Sequence, residues 1–299
     1  HIELATQKPL TKILFLEIAK EDIKHVSFIY GLFIGKPSNV NRIPIDKYTA
    51  IPNGVHYFTY NSEFKQVFLG DYKINSQTFY FGTDKYGRDL LSRMLHGIRI
   101  SLSVGFIAVF LSLFIGIALG LIAGYFRGKI DDIIMWFVNV VWSIPTLLMV
   151  IAITLALGKG FWQVFVAVGL TMWVEVTRIV RGQVLSIREL EYVEAGKALA
   201  FKPFRIIFKH ILPNVIGPVF VISAANFAAA ILIEAGLSFL GIGAQPPIPS
   251  WGGMIKDHYS YIIMDKAYLA VIPGMAIMSL VLSFMILGNG LRDAFDVKN

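Results

Sequence analysis

The sequence predicts an all-α polytopic membrane protein. Of its 299 residues, 56% are hydrophobic and only 16% are charged, and the mean hydropathy is +0.64. A soluble domain of this length could not bury so much apolar surface. Five segments are also apolar over the roughly 20 residues that a helix needs to cross a bilayer. These predicted spans are 98–125, 133–157, 161–181, 214–240 and 267–290.

Basic residues predict how the spans are oriented. The third span ends with Arg178 and Arg181, and the following segment, 182–213, adds five cations: Arg188, Lys197, Lys202, Arg205 and Lys209. By the positive-inside rule this segment faces the cytoplasm. The formal net charge of +7 then reflects membrane orientation and contact with lipid headgroups, and nucleic acid is not an expected partner.

The orientation places residues 1–95 outside the membrane. These residues contain no apolar segment that could carry them across, so we expect a sixth span before His1, with both termini in the cytoplasm. The predicted domains are therefore an extracytoplasmic segment with an interfacial helix, 1–95, and a transmembrane domain, 96–299. The chain has no cysteine, so disulfides do not hold the outer segment.

The outer segment is predicted to begin with an amphipathic helix near 9–26 and to continue as short strands. Asn53-Gly54 and Gly70-Asp71 predict tight turns between those strands. The segment could dock an extracellular partner or merely cover the mouth of the membrane domain. A charged stretch then precedes the first span and predicts an interfacial helix. Its charged residues are Asp84, Arg88, Asp89, Arg93 and Arg99.

Small residues predict close helix packing in the first span. Ser112, Gly116, Gly120 and Gly124 recur every four residues and therefore share one helix face, which lets a neighbouring backbone approach. In the second span, Pro145 should kink the helix and free a carbonyl. The kink could be a hinge, part of a pore lining or a simple bend.

Several residues are candidates for a translocation pathway or gate. Ionisable groups are costly in lipid, so Glu175 and Glu234 require partners or water, and Arg178 lies within helical reach of Glu175. Asn226 is expected to bond between helices. The full candidate set is Pro145, Trp173, Glu175, Asn226, Glu234 and Trp251, the last of these ending the stiff loop 241–251. The spans contain no His or Cys cluster, so no metal site is predicted.

The segment Glu191 to Asn214 predicts a helix, a break near Phe201 to Pro203, and a second helix ended by Pro213. This geometry makes a protruding knob in which small residues permit close docking and Glu194 offers a carboxylate to a basic partner. An amphipathic helix lying on the bilayer explains the same pattern.

Five sequence stretches resemble one family of proteins. They are FGTDKYGRDLLSRMLHGIRISLSVG, VRGQVLSIRELEYVEAGKAL, HILPNV, ILIEAGLSFLGIGAQPPIPSWGGM and LGNGLRDAFD, which together cover roughly residues 81–296. They are similar to the C-type permease of the oligopeptide, dipeptide and nickel group of binding-protein-dependent ABC importers. The resemblance implies a type I permease bundle in the plasma membrane of a bacterium or archaeon.

The same resemblance implies partners and a coupling loop. The permease would pair with a second homologous permease, receive cargo from an extracytoplasmic binding protein and be driven by two cytoplasmic ATPases. The matching coupling residues are Glu194, Ala195, Gly196, Ala200, Ile211, Leu212 and Pro213. Gly196 replaces the usual second alanine and Ala200 the usual glycine, which puts a left-handed turn at Ala200 in doubt.

The chain carries no G-x-x-x-x-G-K-[ST] loop, so ATP and Mg²⁺ are expected on the partner ATPases, with no cofactor on this chain and no catalysis by it. Peptides are the expected cargo, and a nickel complex is the alternative. A secondary transporter using Glu175 or Glu234, a channel and a binding scaffold are the other function classes considered.

Overall fold

The computed structural model describes residues 4–20, 39–60, 66–158 and 160–295. The chain forms two compact units, one comprising His1–Ile100 with Pro246–Gly274 and the other Ser101–Gln245 with Met275–Asn299. The expected sixth span lies outside the described residues.

The first unit contains a five-stranded antiparallel sheet. Its strands are β1 (Thr11–Ala19), β2 (Val40–Ile51), β3 (Gly54–Thr59), β4 (Gln66–Leu69) and β5 (Lys73–Phe79). They lie in the order β4-β3-β2-β1-β5, so β4 and β5 occupy opposite edges. The predicted Asn53-Gly54 turn joins the paired strands β2 and β3. The predicted Gly70-Asp71 turn lies between β4 and β5, which do not pair with each other.

The amphipathic helix expected near 9–26 is also wrong over 11–19, where the chain is strand β1; residues 21–26 lie outside the described part. Both faces of β1 are apolar, which conceals the alternation typical of a strand. Ile13 and Phe15 pack with Leu4 and Phe79 on one face. Leu16 packs on the other face.

The expected interfacial helix is present only from Leu90, where it is the start of the first long helix, and a turn occupies the residues before it. The buried Asp84 carboxylate accepts the backbone N–H groups of Tyr86 and Arg88 at 2.8 and 2.9 Å, and its second oxygen lies 2.6 Å from Arg88 Nε and 3.5 Å from Arg93 Nε. Gly87 has a φ of +74°, which favours glycine. The chain therefore cannot become helical until Leu90, where the first long helix begins.

The first unit also holds a short helix against this turn. His258 is buried; its ring Nδ1 lies 2.8 Å from the carbonyl of Met254, and the N–H of Lys85 donates to Nε2 at 3.2 Å. Lys85 Nζ pairs with Asp257 at 3.0 Å. The two contacts of the His258 ring, Nδ1 with the Met254 carbonyl and Nε2 with the Lys85 N–H, require a neutral ring with its proton on Nδ1. This short helix comprises Trp251–His258.

The helices are α1 (Leu90–Phe126), α2 (Gly128–Trp142), α3 (Thr146–Leu157), α4 (Phe161–Ile187), α5 (Glu191–Ala198), α6 (Pro203–Ile206), α7 (Leu212–Leu240), α8 (Trp251–His258) and α9 (Tyr268–Phe295). A π-helical turn, Ile207–Ile211, makes α6 and α7 continuous, and a 3₁₀ segment, Tyr259–Met264, follows α8. Four helical runs in the described chain are long and apolar enough to cross a membrane, and the pair α2 and α3 could form a fifth span.

The pair α2 and α3 differs from the predicted kinked span. The two helices are bent by 89° at residues 143–145. Pro145 is the N-terminal cap of α3, with an extended backbone, so it breaks the helix rather than kinking it. The carbonyl of Val141 is not free, because it accepts the N–H of Ile144 at 3.2 Å.

The predicted small-residue face of α1 packs on α4 in the second unit. A Cβ built on Gly116, Gly120 or Gly124 would lie 2.5–2.7 Å from the Cβ of Val176, Val180 or Val184, respectively. Real Cβ atoms do not approach so closely. The two four-residue repeats therefore run in register, and only glycine lets the backbones come this near.

We predict that Gly120→Ala destabilises the protein by about 1–3 kcal/mol, because the new methyl group overpacks the α1–α4 contact. Gly236→Ala in α7 is the matched control: a Cβ there meets nothing within 4 Å, and alanine favours helix. Thermal unfolding in detergent measures both changes. Equal unfolding temperatures for the two variants would contradict the close packing.

We predict that the first unit loses stability in acid through His258. Burial lowers the pKa of His258 below its unfolded value of about 6.5. The neutral ring therefore stabilises the fold above that pH, and this contribution disappears as the pH falls through the lowered pKa. Unfolding temperatures between pH 8 and 5 should fall less steeply in His258→Gln than in the native chain. His96→Gln, on the surface of α1, should keep the native pH dependence.

Candidate functional site

The predicted knob is present as helix α5, the turn after it, α6 and the π-helical turn, residues 191–211, and we keep the name knob for this set. Glu191 and Glu194 occupy the first turn of α5 and Lys197 the last, which complements the helix dipole at both ends. Glu194, Ala195 and Ala198 are exposed. The exposed face therefore places Glu194 beside small side chains, and Tyr192 and Lys197 are exposed on the same helix.

The opposite face of α5 is buried in the core of the second unit. Val193 is 1% exposed, and Gly196 faces Phe201 and Ile206. A Cβ on Gly196 would lie 3.5 Å from the Phe201 ring, an ordinary contact. The glycine that replaces the usual alanine is thus not required by space.

The turn after α5 is left-handed at Ala200, although alanine rather than glycine occupies that position. Ala200 has a φ of +55°, in the left-handed region. Its N–H donates to the carbonyl of Lys197 at 2.9 Å, and the N–H of Phe201 donates to that of Gly196 at 3.1 Å. This is the Schellman pattern of helix termination. Alanine adopts it at a cost of about 1–2 kcal/mol relative to glycine.

The second half of the knob continues into the membrane helix, so the prediction that Pro213 ends it is wrong. The N–H of Leu212, one residue earlier, donates to the carbonyl of Ile207, five residues back. This wider π turn relieves the clash between a proline ring and the carbonyl four residues before it. The run Pro203–Leu240 is therefore 38 residues of continuous helix.

The apolar residues of α6 and the π turn divide between two faces, which the sequence pattern did not separate. Ile206, Ile207 and Ile211 are buried. Phe204 and Phe208 are 71% and 50% exposed, and their ring centroids lie 4.3 Å apart. The knob therefore presents an aromatic pair beside the basic side chains of this segment.

The matched coupling residues have different environments. Glu194, Ala195, Ala200 and Pro213 are exposed, Leu212 is half-buried, and Gly196 and Ile211 are buried. The exposed members can contact a partner. The buried members instead hold the knob in its core.

That core is continuous with the membrane helices. One apolar cluster joins residues from five helices and the π turn. Its buried members are Leu121, Val176, Val180, Val184, Ile187, Val193, Ile206, Ile207, Ile211, Val215 and Val219. A displacement of the knob must therefore move α4 and α7 or disrupt this packing.

Arginine side chains add a polar connection between α4 and the α1–α2 corner. Arg181 forms a bidentate pair with Asp131, both distances 2.6 Å. Arg188 donates to the carbonyl of Tyr125, and Arg127 pairs with Glu189. The Arg127 hydrogen bond lowers the pKa of Glu189. Sequence reasoning used these arginines only for orientation and did not find their partners.

The candidate pathway residues do not form one site. Pro145 and Glu175 are exposed, whereas Trp173 is buried and stacks on Phe137 with ring centroids 5.7 Å apart. The expected pair between Glu175 and Arg178 does not form. The Arg178 guanidinium instead bonds to Asn139 and lies 3.7 Å from the centroid of the Trp142 ring.

The polar residues of α7 are buried. Asn226 is 2% exposed, and its side-chain nitrogen has no hydrogen-bond partner. Glu234 is 1% exposed; Ser238 Oγ donates to its Oε1 at 2.7 Å, and Oε2 has no partner. Ser238 Oγ also accepts the N–H of Ala244 at 3.2 Å. Glu234 thus helps position the loop after α7.

Trp251 is an anchor in the first unit rather than an exposed gate. It is 3% exposed, and its Nε1–H donates to the carbonyl of Met94 at 3.0 Å. Its ring covers Gly97, where a Cβ would lie 2.6 Å from it. Within the described residues, no group of three or more His, Cys, Asp or Glu side chains could hold a metal ion.

A cavity of about 590 Å³ lies in the second unit between α4, α7 and α9. It is mainly apolar, and Arg292 is its one charged lining residue. Pro218, inside α7, contributes to its wall. None of the predicted pathway residues lines this cavity.

The sequence is similar to several characterised transport proteins. It is 43% identical over 223 residues to the dipeptide transport system permease protein DppC of Bacillus subtilis (strain 168), covering 75% of this chain and 70% of that protein. It is 40% identical over 223 residues to the oligopeptide transport system permease protein OppC of the same organism, covering 75% of this chain and 73% of that protein. It is also 40% identical over 223 residues to the glutathione transport system permease protein GsiD of Pectobacterium atrosepticum, covering 75% of this chain and 74% of that protein.

A solved structure shares the fold. An inward-facing structure of the MetNI methionine ABC transporter matches with a TM-score of 0.58 at 18% identity, covering 69% of this chain and 97% of that one. The family model of the binding-protein-dependent transport system inner membrane component matches residues 116–297. That match contains the last part of α1 and all of α2 to α9, including the knob. The chain belongs to the family of binding-protein-dependent transport system inner membrane components.

Proposed function

We propose that this chain forms half of the translocation pathway of an ATP-driven peptide importer. One observation about the knob carries the proposal: Glu194 and Ala195 are exposed, while its buried face shares one core with membrane-crossing helices. An external motor that moved the knob would therefore move those helices.

The proposed assembly contains a second homologous permease, two cytoplasmic ATPases and an extracytoplasmic binding protein. ATP and Mg²⁺ bind the ATPases in this scheme, and this chain contributes no catalytic group or cofactor. Glu194 would face basic groups of one ATPase, and Phe204 and Phe208 would add apolar contact beside it. The family assignment makes the chain a multi-pass inner-membrane transport component, and we infer a bacterial cell.

Peptides are the cargo that the comparisons favour. The similar permeases named above are those of dipeptide, oligopeptide and glutathione systems, and all three substrates contain peptide bonds. The nickel alternative has no such support. A gradient-driven transporter is also disfavoured, because the chain belongs to a family of binding-protein-dependent transport components.

In the proposed mechanism, ATP binding closes the two ATPases and displaces the knob. The shared core transmits this displacement to α4 and α7. The Arg181–Asp131 pair extends it to α2, and the contact of Arg188 with Tyr125 extends it to the end of α1. The pathway would then open on the opposite side of the membrane.

We predict that Glu194→Lys uncouples ATP hydrolysis from peptide uptake, because it places a like charge against the basic groups of the motor. Uptake in proteoliposomes should fall at least about tenfold, the effect of losing roughly 1.4 kcal/mol of coupling. Unfolding temperature should fall only slightly, since Glu194 is exposed and the change removes only its interaction with the helix dipole.

Glu191→Lys is the matched control, an equal charge change on the exposed N-terminal residue of the same helix. It should reduce uptake much less than Glu194→Lys. Normal coupled uptake in Glu194→Lys, with ATP hydrolysis tied to transport as in the native assembly, would exclude the proposed contact.

A further inference from the structure

The first unit carries an apolar tip, which we define as the 3₁₀ segment Tyr259–Met264. None of its six residues is buried. Ile263 is 86% exposed, Tyr259 59%, Met264 58% and Ile262 50%. Three adjacent large apolar side chains so exposed are unfavourable in water and indicate a contact that covers them.

The tip is held in place from both sides. Before it, α8 is anchored by the buried Trp251 and His258. After it, Asp265 has a φ of +55° and turns the chain, and Lys266 Nζ donates to Thr6 Oγ1 at 2.6 Å. The Tyr268 hydroxyl then donates to the carbonyl of Gln7 at 2.9 Å. These contacts fix the residues on both sides of the tip, and the side chains of the tip itself remain exposed.

The tip lies shortly before a helix that can cross the membrane. Helix α9, which begins at Tyr268, is long and apolar enough to cross a membrane. The last tip residue, Met264, lies four residues earlier, and four residues span at most about 14 Å. The tip must therefore lie close to the boundary between bilayer and water.

Its composition matches that boundary. Isoleucine and methionine suit the acyl region, while tyrosine is enriched at the headgroup level. The exposed Lys256 precedes the tip and offers an ammonium group to lipid phosphates, while Lys266 after the tip is held by Thr6. Short apolar segments with flanking lysines bind membranes in this way.

We propose that the partner of the tip is lipid: Ile262, Ile263 and Met264 insert into one leaflet of the bilayer, with Lys256 at the phosphate level. In the proposed orientation this is the outer leaflet. The contact would attach the first unit to the membrane at a point separate from the spans. This contact with lipid is independent of the cargo that the importer carries.

The absence of cysteine from the chain makes the test direct. Ile263→Cys, in the full chain with the partners that purify with it, is labelled with an environment-sensitive fluorophore and placed in nanodiscs. The nanodiscs contain phosphatidylethanolamine and phosphatidylglycerol, with or without lipids that carry a quencher near the headgroup. The cysteine-free parent gives the background from partner subunits. Val67→Cys is the matched control, because Val67 is a 51% exposed apolar residue of strand β4.

We expect the label at Ile263 to be quenched several-fold more by the lipid quencher than the label at Val67, and several-fold less by iodide in the buffer. Met264→Cys should behave like Ile263→Cys, which guards against a local effect of one substitution. Iodide quenching equal at the two sites would overturn the proposal. Shielding of Ile263 from both quenchers would also overturn it, because that result would show a protein partner over the tip.

Discussion

A single aliphatic core joins the knob to the membrane helices, and the rest of the structure depends on it. Val193 of α5 lies in the same cluster as Val184 of α4 and Val215 of α7. Burying a valine or isoleucine side chain contributes about 1.5–3 kcal/mol, so separating the knob from the bundle would cost several such contributions. The knob can therefore act as a rigid extension of the bundle, which a flexible loop could not.

Close packing and polar contacts then spread this rigidity to neighbouring helices. Glycines let α1 approach α4 along three successive turns, and the bidentate Arg181–Asp131 pair fixes α2 against α4. The exposed Arg127–Glu189 pair contributes less, because water screens it. The membrane helices are thus connected to the knob mainly by apolar packing, and ion pairs make a smaller contribution.

Sequence reasoning predicted the features that depend on local chemistry. The predicted spans overlap the membrane-crossing helices, but α1 begins at Leu90 rather than 98, α4 ends at Ile187 rather than 181, and the Pro203–Leu240 run begins before 214. The second predicted span is divided between α2 and α3. The four-residue repeat at Gly116 and Gly120 predicted a close helix contact, and the structure identifies the partner as α4. The motifs around Glu194 predicted the family, which the comparisons confirm.

The failures concern tertiary context. Strand β1 was predicted as helix because both of its faces are buried, and a doubly buried strand lacks alternation. The role of Trp251 at a gate stays a prediction, and only the fold reveals that its ring is buried and bonds to the carbonyl of Met94.

The most direct measurement is the composition of the complex that this chain forms in its native membrane. The chain, purified in mild detergent, should bring with it a second permease and ATPases with phosphate-binding loops, identified by mass spectrometry. Val193→Asp, which disrupts the buried face of α5, should lose the ATPases and keep the permease. A native chain that purifies alone, or a Val193→Asp chain that retains its ATPases, would contradict the claim that the knob couples this protein to a motor.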